Sequence, residues 1–215
     1  MTMSYEEAAY EEFVNTIAAE LYEEHSDQAI EGFIKERLQS YYESNPKIAM
    51  NAHSFLVSAE AQIYSDPTSS LLYSSICTEV MLKSVMLKPI VAGLVHNESI
   101  SELVSTLLIK QTGVDRFKSL IFKILDEYIG VGCESFEYKR LDSNQSLWKE
   151  REIVQNVRNG VSHRAQFCTI ADAELSISVA KEFYDLTSRL IAVLGFHFDD
   201  RGEIKRGSKG QQSIF

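Results

Sequence analysis

The chain has 215 residues, 45% of them hydrophobic, which suffices for one good core or a core with an accessory segment. Three prolines and ten glycines leave little punctuation for a many-turned β protein. The three scattered cysteines, Cys77, Cys133 and Cys168, argue against a disulfide framework or a zinc site and for a reducing compartment.

The net charge of −10 is unevenly spread. Residues 1–62 carry 12 acidic side chains against Lys35, Arg37 and Lys47, whereas residues 63–215 carry 19 acidic and 18 basic ones. Phosphate binding by the whole surface is therefore not expected, but a local basic site in the remainder is compatible with the charge. The acidic start of the chain lacks the basic-then-apolar order of a signal peptide. The longest apolar stretch, residues 84–95, is interrupted by Lys88 and Pro89 and is too short to span a bilayer. The expectation is a cytoplasmic protein with no membrane association.

Helical periodicity dominates. Residues 4–24 open with the capping box Ser4-x-x-Glu7, and residues 27–42 read as a second helix with Ile30, Phe33, Ile34 and Leu38 on one face. Asn45-Pro46 marks a stop and a new start, which places a boundary there. Helix is expected again over 47–64, and Asp66-Pro67 opens another over about 69–87. That helix is apolar on most sides (Leu72, Ile76, Val80, Leu82, Val85, Met86), which predicts a central position. Ser99-x-x-Glu102 is a second capping box, and Gly113 a helix stop.

Residues 115–129 give the cleanest amphipathic pattern: Phe117, Leu120, Ile121, Ile124, Leu125 and Tyr128, ended by Gly130 and Gly132. Residues 133–145 read as loop. Ser146 or Leu147 starts a helix running to about Arg164. Thr169 and Asp172 cap a last helix to roughly Phe196, with Val179, Phe183, Leu186, Leu190 and Val193 as its buried stripe. The polar, basic residues after Asp199 read as a mobile tail. The expected organisation is an acidic helical accessory segment (1–45), an all-α domain (46–200) and a flexible basic tail (201–215).

The chemistry concentrates in Arg158-Asn159-Gly160-Val161-Ser162-His163. With Arg158 as the reference at about 100° per residue, Arg151 falls near 20°, Ser162 near 40°, Asn159 near 100° and His163 near 140°. Ile153, Val154, Val157 and Val161 fall on the other side. A fixed cation and a group titrating near neutral pH thus flank a hydroxyl and an amide, an arrangement suited to phosphodiester cleavage in RNA. RNA supplies its own nucleophile, the 2′-hydroxyl, so the protein need only move protons and stabilise the phosphorane. His163 is the expected general acid or base. Arg158 would grip the non-bridging oxygens, and Asn159 and Ser162 would orient substrate or partner groups.

Lys149, Arg151 and Arg164 add positive charge for substrate binding, against Glu150 and Glu152. Gly160, inside the helix, is read either as close approach of another backbone or as a packing accommodation. Glu79, in an otherwise apolar helix, either supports Arg158 or His163 or pairs with Lys83 one turn later. Trp148 is expected in the core or at a dimer interface. His25, His53, His96 and His197 stand alone in the sequence, so no metal site and no cofactor are expected.

The fragment RNGVSH followed by Arg164 resembles the R-x4–6-H signature of the HEPN superfamily, in which Asn commonly follows the Arg. The stretch Ser75-Ile76-Cys77-Thr78-Glu79-Val80-Met81-Leu82-Lys83 resembles that family's earlier core helix, with its A/S-x-x-x-E-x-x-L-K pattern. The similarity covers roughly residues 46–198, and its sharp motif is the six-residue one.

The resemblance implies an α-helical bundle whose homodimer brings two motifs face to face. Many such proteins are metal-independent endoribonucleases acting as toxins or anti-phage effectors, with an antitoxin or other defence-system protein as partner. Others keep the fold without activity, which leaves a dimeric interaction or nucleotide-binding module as the alternative. One toxin subfamily adds a tyrosine two residues past the histidine, where this chain has Ala165.

Overall fold

A computed structural model describes residues 32, 35–94, 113–131 and 137–207. The capping boxes at Ser4 and Ser99, His25, His96, Gly132, Cys133 and the last eight residues lie outside that set. The chain divides into two compact units, residues 1–37 and 38–215. The second is built from α1 (Met50–Gln62), α2 (Pro67–Val80), a π-helical turn (Met81–Leu87), α3 (Lys88–Leu94), a 3-10 turn (Val114–Phe117), α4 (Lys118–Ile129), α5 (Leu147–Arg164) and α6 (Ile170–Val193). A two-stranded antiparallel hairpin follows, β1 (Phe196–Phe198) and β2 (Ile204–Arg206). The fold is mostly helical, as expected. None of the described helices is long and apolar enough to cross a membrane.

Helix boundaries follow local chemistry. Asp66 caps α2 by accepting from the Ser69 amide at 3.1 Å, and Pro67 occupies the first turn, where its missing N–H costs nothing. Thr169 and Asp172 form the full capping box at the start of α6. Gly130 ends α4 in the left-handed conformation, φ 61°.

Helix α2 is central, packing on α1 and α6. Small residues at these crossings (Ala52, Ala59, Ser70, Ser74, Ala173, Ser176, Ala180) are buried. The serines are satisfied locally: Ser70 Oγ donates to Ala59 O at 2.7 Å, and Ser74 Oγ lies 2.6 Å from Ser176 Oγ. On the other side, Phe122, Trp148 and Phe183 pack edge to face, with centroids 5.7 and 6.4 Å apart, and Trp148 is core. The buried rows differ in detail from the expected ones. Leu71, not Leu72, is fully buried, Phe122 replaces the exposed Leu120, and Val193 is 48% exposed while Ile191 and Leu194 on either side of it are buried.

A proline follows closely on the π-helical turn. Pro89 has no N–H to donate to Val85 O four residues earlier. That buried carbonyl instead accepts from the Tyr42 hydroxyl at 2.8 Å. Burial pushes the Tyr42 phenol far above its ordinary range, so it stays a donor at every accessible pH. Tyr42→Phe leaves the acceptor unpaired and is expected to lower stability by about 1–3 kcal/mol in urea denaturation.

The same contact moves the expected boundary at residue 45. Leu38 and Tyr42 are buried, Gln39 Nε2 donates to Leu194 O at 2.9 Å, and Tyr42 packs on Phe196. The helical residues 38–44 therefore belong to the larger unit.

The mobile tail expected from Asp199 onward is corrected as well. Residues 196–206 form the hairpin, in register Phe196↔Arg206, His197↔Lys205 and Phe198↔Ile204. Phe196, Phe198 and Ile204 are buried, the Ile204 amide donates to Pro46 O at 2.8 Å, and Arg206 pairs with Glu43. Apolar side chains facing the bundle fix a segment whose average composition is polar.

Candidate functional site

Helix α5 carries the motif and is held firmly at its start. Ser146 caps it by accepting from the Lys149 amide, and the Leu147 amide donates to Tyr138 O at 2.7 Å. Arg140 grips Glu150 with two hydrogen bonds, 2.8 and 2.9 Å, and Ser143 adds a third at 2.7 Å. Burial opposes ionisation of Glu150. The Arg140 and Ser143 hydrogen bonds and the Arg140 charge outweigh it and hold the carboxyl below the usual range. The loop over 137–145 is thereby clamped to the helix.

The buried row of α5 is Leu147, Arg151 and Val154, with Trp148 beside it. Arg151 is 5% exposed, its Nη1 is 2.6 Å from Asp115 Oδ1, and its guanidinium lies 4.7 Å from the Trp148 ring centroid. This corrects its assignment as a substrate-binding residue, because its charge and its planar face are both taken. Lys149 is exposed and pairs with Glu152 at 3.4 Å, a solvated contact that a phosphate can displace.

Arg158 follows Leu147, Arg151 and Val154 on the same row, seven residues after Arg151. The wheel had set the motif opposite the core, but Arg158 emerges from the core row as the helix runs out of the bundle. It is half-buried and has no ion pair among the described residues. Asn159, also half-buried, accepts from Gln155 Nε2 at 3.3 Å. Ser162, His163 and Arg164 are exposed on the last turn. Arg158, Asn159, Ser162, His163 and Arg164 thus lie within the last two turns of one helix, the first two half-buried and the other three exposed. Glu79 is not joined to them. Glu79 is half-buried on α2, with no hydrogen bond or ion pair to Arg158, His163 or Lys83 among the described residues, and the π turn beginning at Met81 displaces Lys83 from the usual i,i+4 position.

The end of α5 explains Gly160. Ala165 is left-handed (φ 51°), and the amides of Ala165 and Gln166 both donate to Gly160 O. The chain folds back so that the Gln166 side chain lies where a Gly160 side chain would be. The neighbour that the glycine accommodates is therefore this helix's own exit loop. A non-glycine residue in the left-handed region costs roughly 1–2 kcal/mol. Ala165→Gly is accordingly expected to raise stability by about 1 kcal/mol, seen as a melting temperature about 2–4 °C higher.

Two further features escape sequence reasoning. Phe167, between the motif helix and α6, is 95% exposed. His53 and His197, solitary in the chain, line one cavity of about 630 Å³ with Tyr184 and Asp199. No sequence signal links positions 144 residues apart. A second cavity of about 640 Å³ lies beside residues 41–51 and Lys88. Neither cavity includes a motif residue; His163 is exposed and Arg158 half-buried. No cluster of three or more metal-ligating side chains occurs among the described residues. Buried Cys77 is held protonated, its thiol pushed up to about 12 by burial. No family model, curated protein or solved structure matches this chain.

Proposed function

We propose that the protein is a HEPN-type endoribonuclease that cleaves RNA by 2′-hydroxyl attack, at a site completed when two copies bring their motif helices together. The observation that carries this reading is Arg158: a guanidinium at the end of a core row, half-buried and without an ion pair among the described residues, one turn from exposed Ser162 and His163. Charged side chains are rarely drawn toward an interior without a counterion, and an RNA phosphate is a fitting one. The exposure of Ser162, His163 and Arg164 favours a composite site, in which a second copy would cover them and exclude water.

In the proposed reaction His163 takes the 2′-hydroxyl proton or returns one to the 5′-oxygen. Arg158 binds the non-bridging oxygens, and Asn159 and Ser162 orient the phosphate. Arg164 and Lys149 attract the flanking backbone. Defence or growth arrest, with a partner protein that restrains the activity, is the corresponding cellular role.

The test is incubation of purified protein with RNA and with DNA of the same sequence, in EDTA. The expected result is cleavage of RNA alone, with 2′,3′-cyclic phosphate and 5′-hydroxyl ends. Intact RNA, or equal cleavage by Arg158→Ala and His163→Ala variants, overturns the reading in favour of a non-catalytic module or a contaminant.

A further inference from the structure

We infer that the cavity between α1, α6 and the hairpin binds a small organic cation bearing ammonium or guanidinium groups, independently of the motif helix. Its volume, about 630 Å³, is that of a small-molecule site. The buried rings of Phe196 and Phe198 lie at its base, and Tyr184 packs against Phe198 with centroids 4.9 Å apart. His53 Nδ1 sits 3.2 Å from the Tyr184 hydroxyl, which ties α1 to α6 across the cavity. Gly202 (φ 76°) presses on His53 so closely that a side chain there would meet its Cβ at 2.5 Å. Three separate elements are thus keyed together around the space.

The lining is rich in acceptors. His197 Nδ1 is 2.8 Å from Gly207 O, and since a carbonyl only accepts, Nδ1 is the donor, which orients the ring beside the cavity. Asp199 Oδ1 accepts from the amides of Arg201 and Glu203, which fixes this carboxylate at the hairpin turn. Asp200 makes no hydrogen bond or ion pair among the described residues. Among the described residues, no lysine or arginine lines the cavity. The nearby Lys205 pairs with Glu203, and Arg201 lies outside the lining. Carboxylates beside an aromatic wall attract a cation that donates several hydrogen bonds, and they repel phosphates and carboxylates. About 20 Å of α6 separates Tyr184 from that helix's start beside the motif.

Titration calorimetry of the full chain with agmatine, which carries both cationic groups, tests the inference, with inorganic phosphate as the opposite-charge control. Saturable 1:1 binding of agmatine and none of phosphate is expected. Asp200→Asn should weaken binding at least tenfold, and Ala192→Trp, which fills the cavity from an exposed position on α6, should abolish it. Arg158→Ala should leave it unchanged, so failure here is separate from failure of the nuclease reading. Melting curves establish that each variant folds. Absence of saturable agmatine binding, binding of equal strength in Asp200→Asn and Ala192→Trp, or preferential binding of phosphate would overturn the inference.

Discussion

Arg158→Ala and His163→Ala are each expected to lower RNA cleavage by two orders of magnitude or more while leaving the fold intact. A positioned histidine contributes about 10²–10⁴-fold, and a lost phosphate-stabilising donor costs roughly 3–4 kcal/mol of barrier. Neither side chain makes an ion pair among the described residues, so truncation removes no counterion from the fold. Arg158→Lys separates charge from geometry. A lysine keeps the charge but not the planar fork, and most of the loss should remain.

A composite site would have its own signature. If the guanidinium of one copy works with the imidazole of the other, mixing the two inactive variants yields heterodimers with one intact combination, and part of the activity returns. Absence of any recovery after subunit exchange, with both variants shown to be dimeric, would place the whole site on one copy.

Legibility differs sharply between levels of this molecule. Capping residues and amphipathic periods made the helices readable: Asp66-Pro67, Ser146, the Thr169–Asp172 box and Gly130 each stand where the backbone requires them. The hairpin was not readable as structure, because its strands have three residues each and its composition is that of a tail. The alternation Phe196-His197-Phe198 before Asp199-Asp200-Arg201-Gly202 was the available trace of it. The boundary near residue 45 failed for a different reason. An Asn-Pro pair records where a helix stops and says nothing about which core its last turn joins, and here Tyr42 answers a carbonyl that Pro89 leaves open.

The electrostatics of the motif helix were not legible. A helical wheel places Arg151 and Arg158 on one face with equal weight, whereas Asp115, 36 residues distant, takes the first and leaves the second. Long-range pairing of charges decides which basic residue remains for a ligand, and no local spacing encodes it.

Glu150→Ala is expected to be the most destabilising of the charge substitutions, by about 3 kcal/mol at pH 7, because it leaves the Arg140 guanidinium without its carboxylate in a largely buried site. For a chain of this size the melting temperature should fall by about 6–12 °C. Glu150 is held below its ordinary range in the folded protein, so its contribution is fully present above the unfolded-state value of about 4.3 and is lost as pH falls through the lower, folded-state value. The difference between wild type and Glu150→Ala in urea denaturation should therefore be constant from pH 7 to pH 5 and shrink below about pH 4. A difference that stayed constant into that acid range would mean that the carboxylate charge is not what holds the loop. Because Arg140 and Ser143 both reach the same carboxylate, its loss should also free the segment over 137–145 from the start of α5. Faster amide exchange at the Leu147 N–H, which donates to Tyr138 O, would report that release directly, while exchange in the interior of α6 should follow only the global loss of stability.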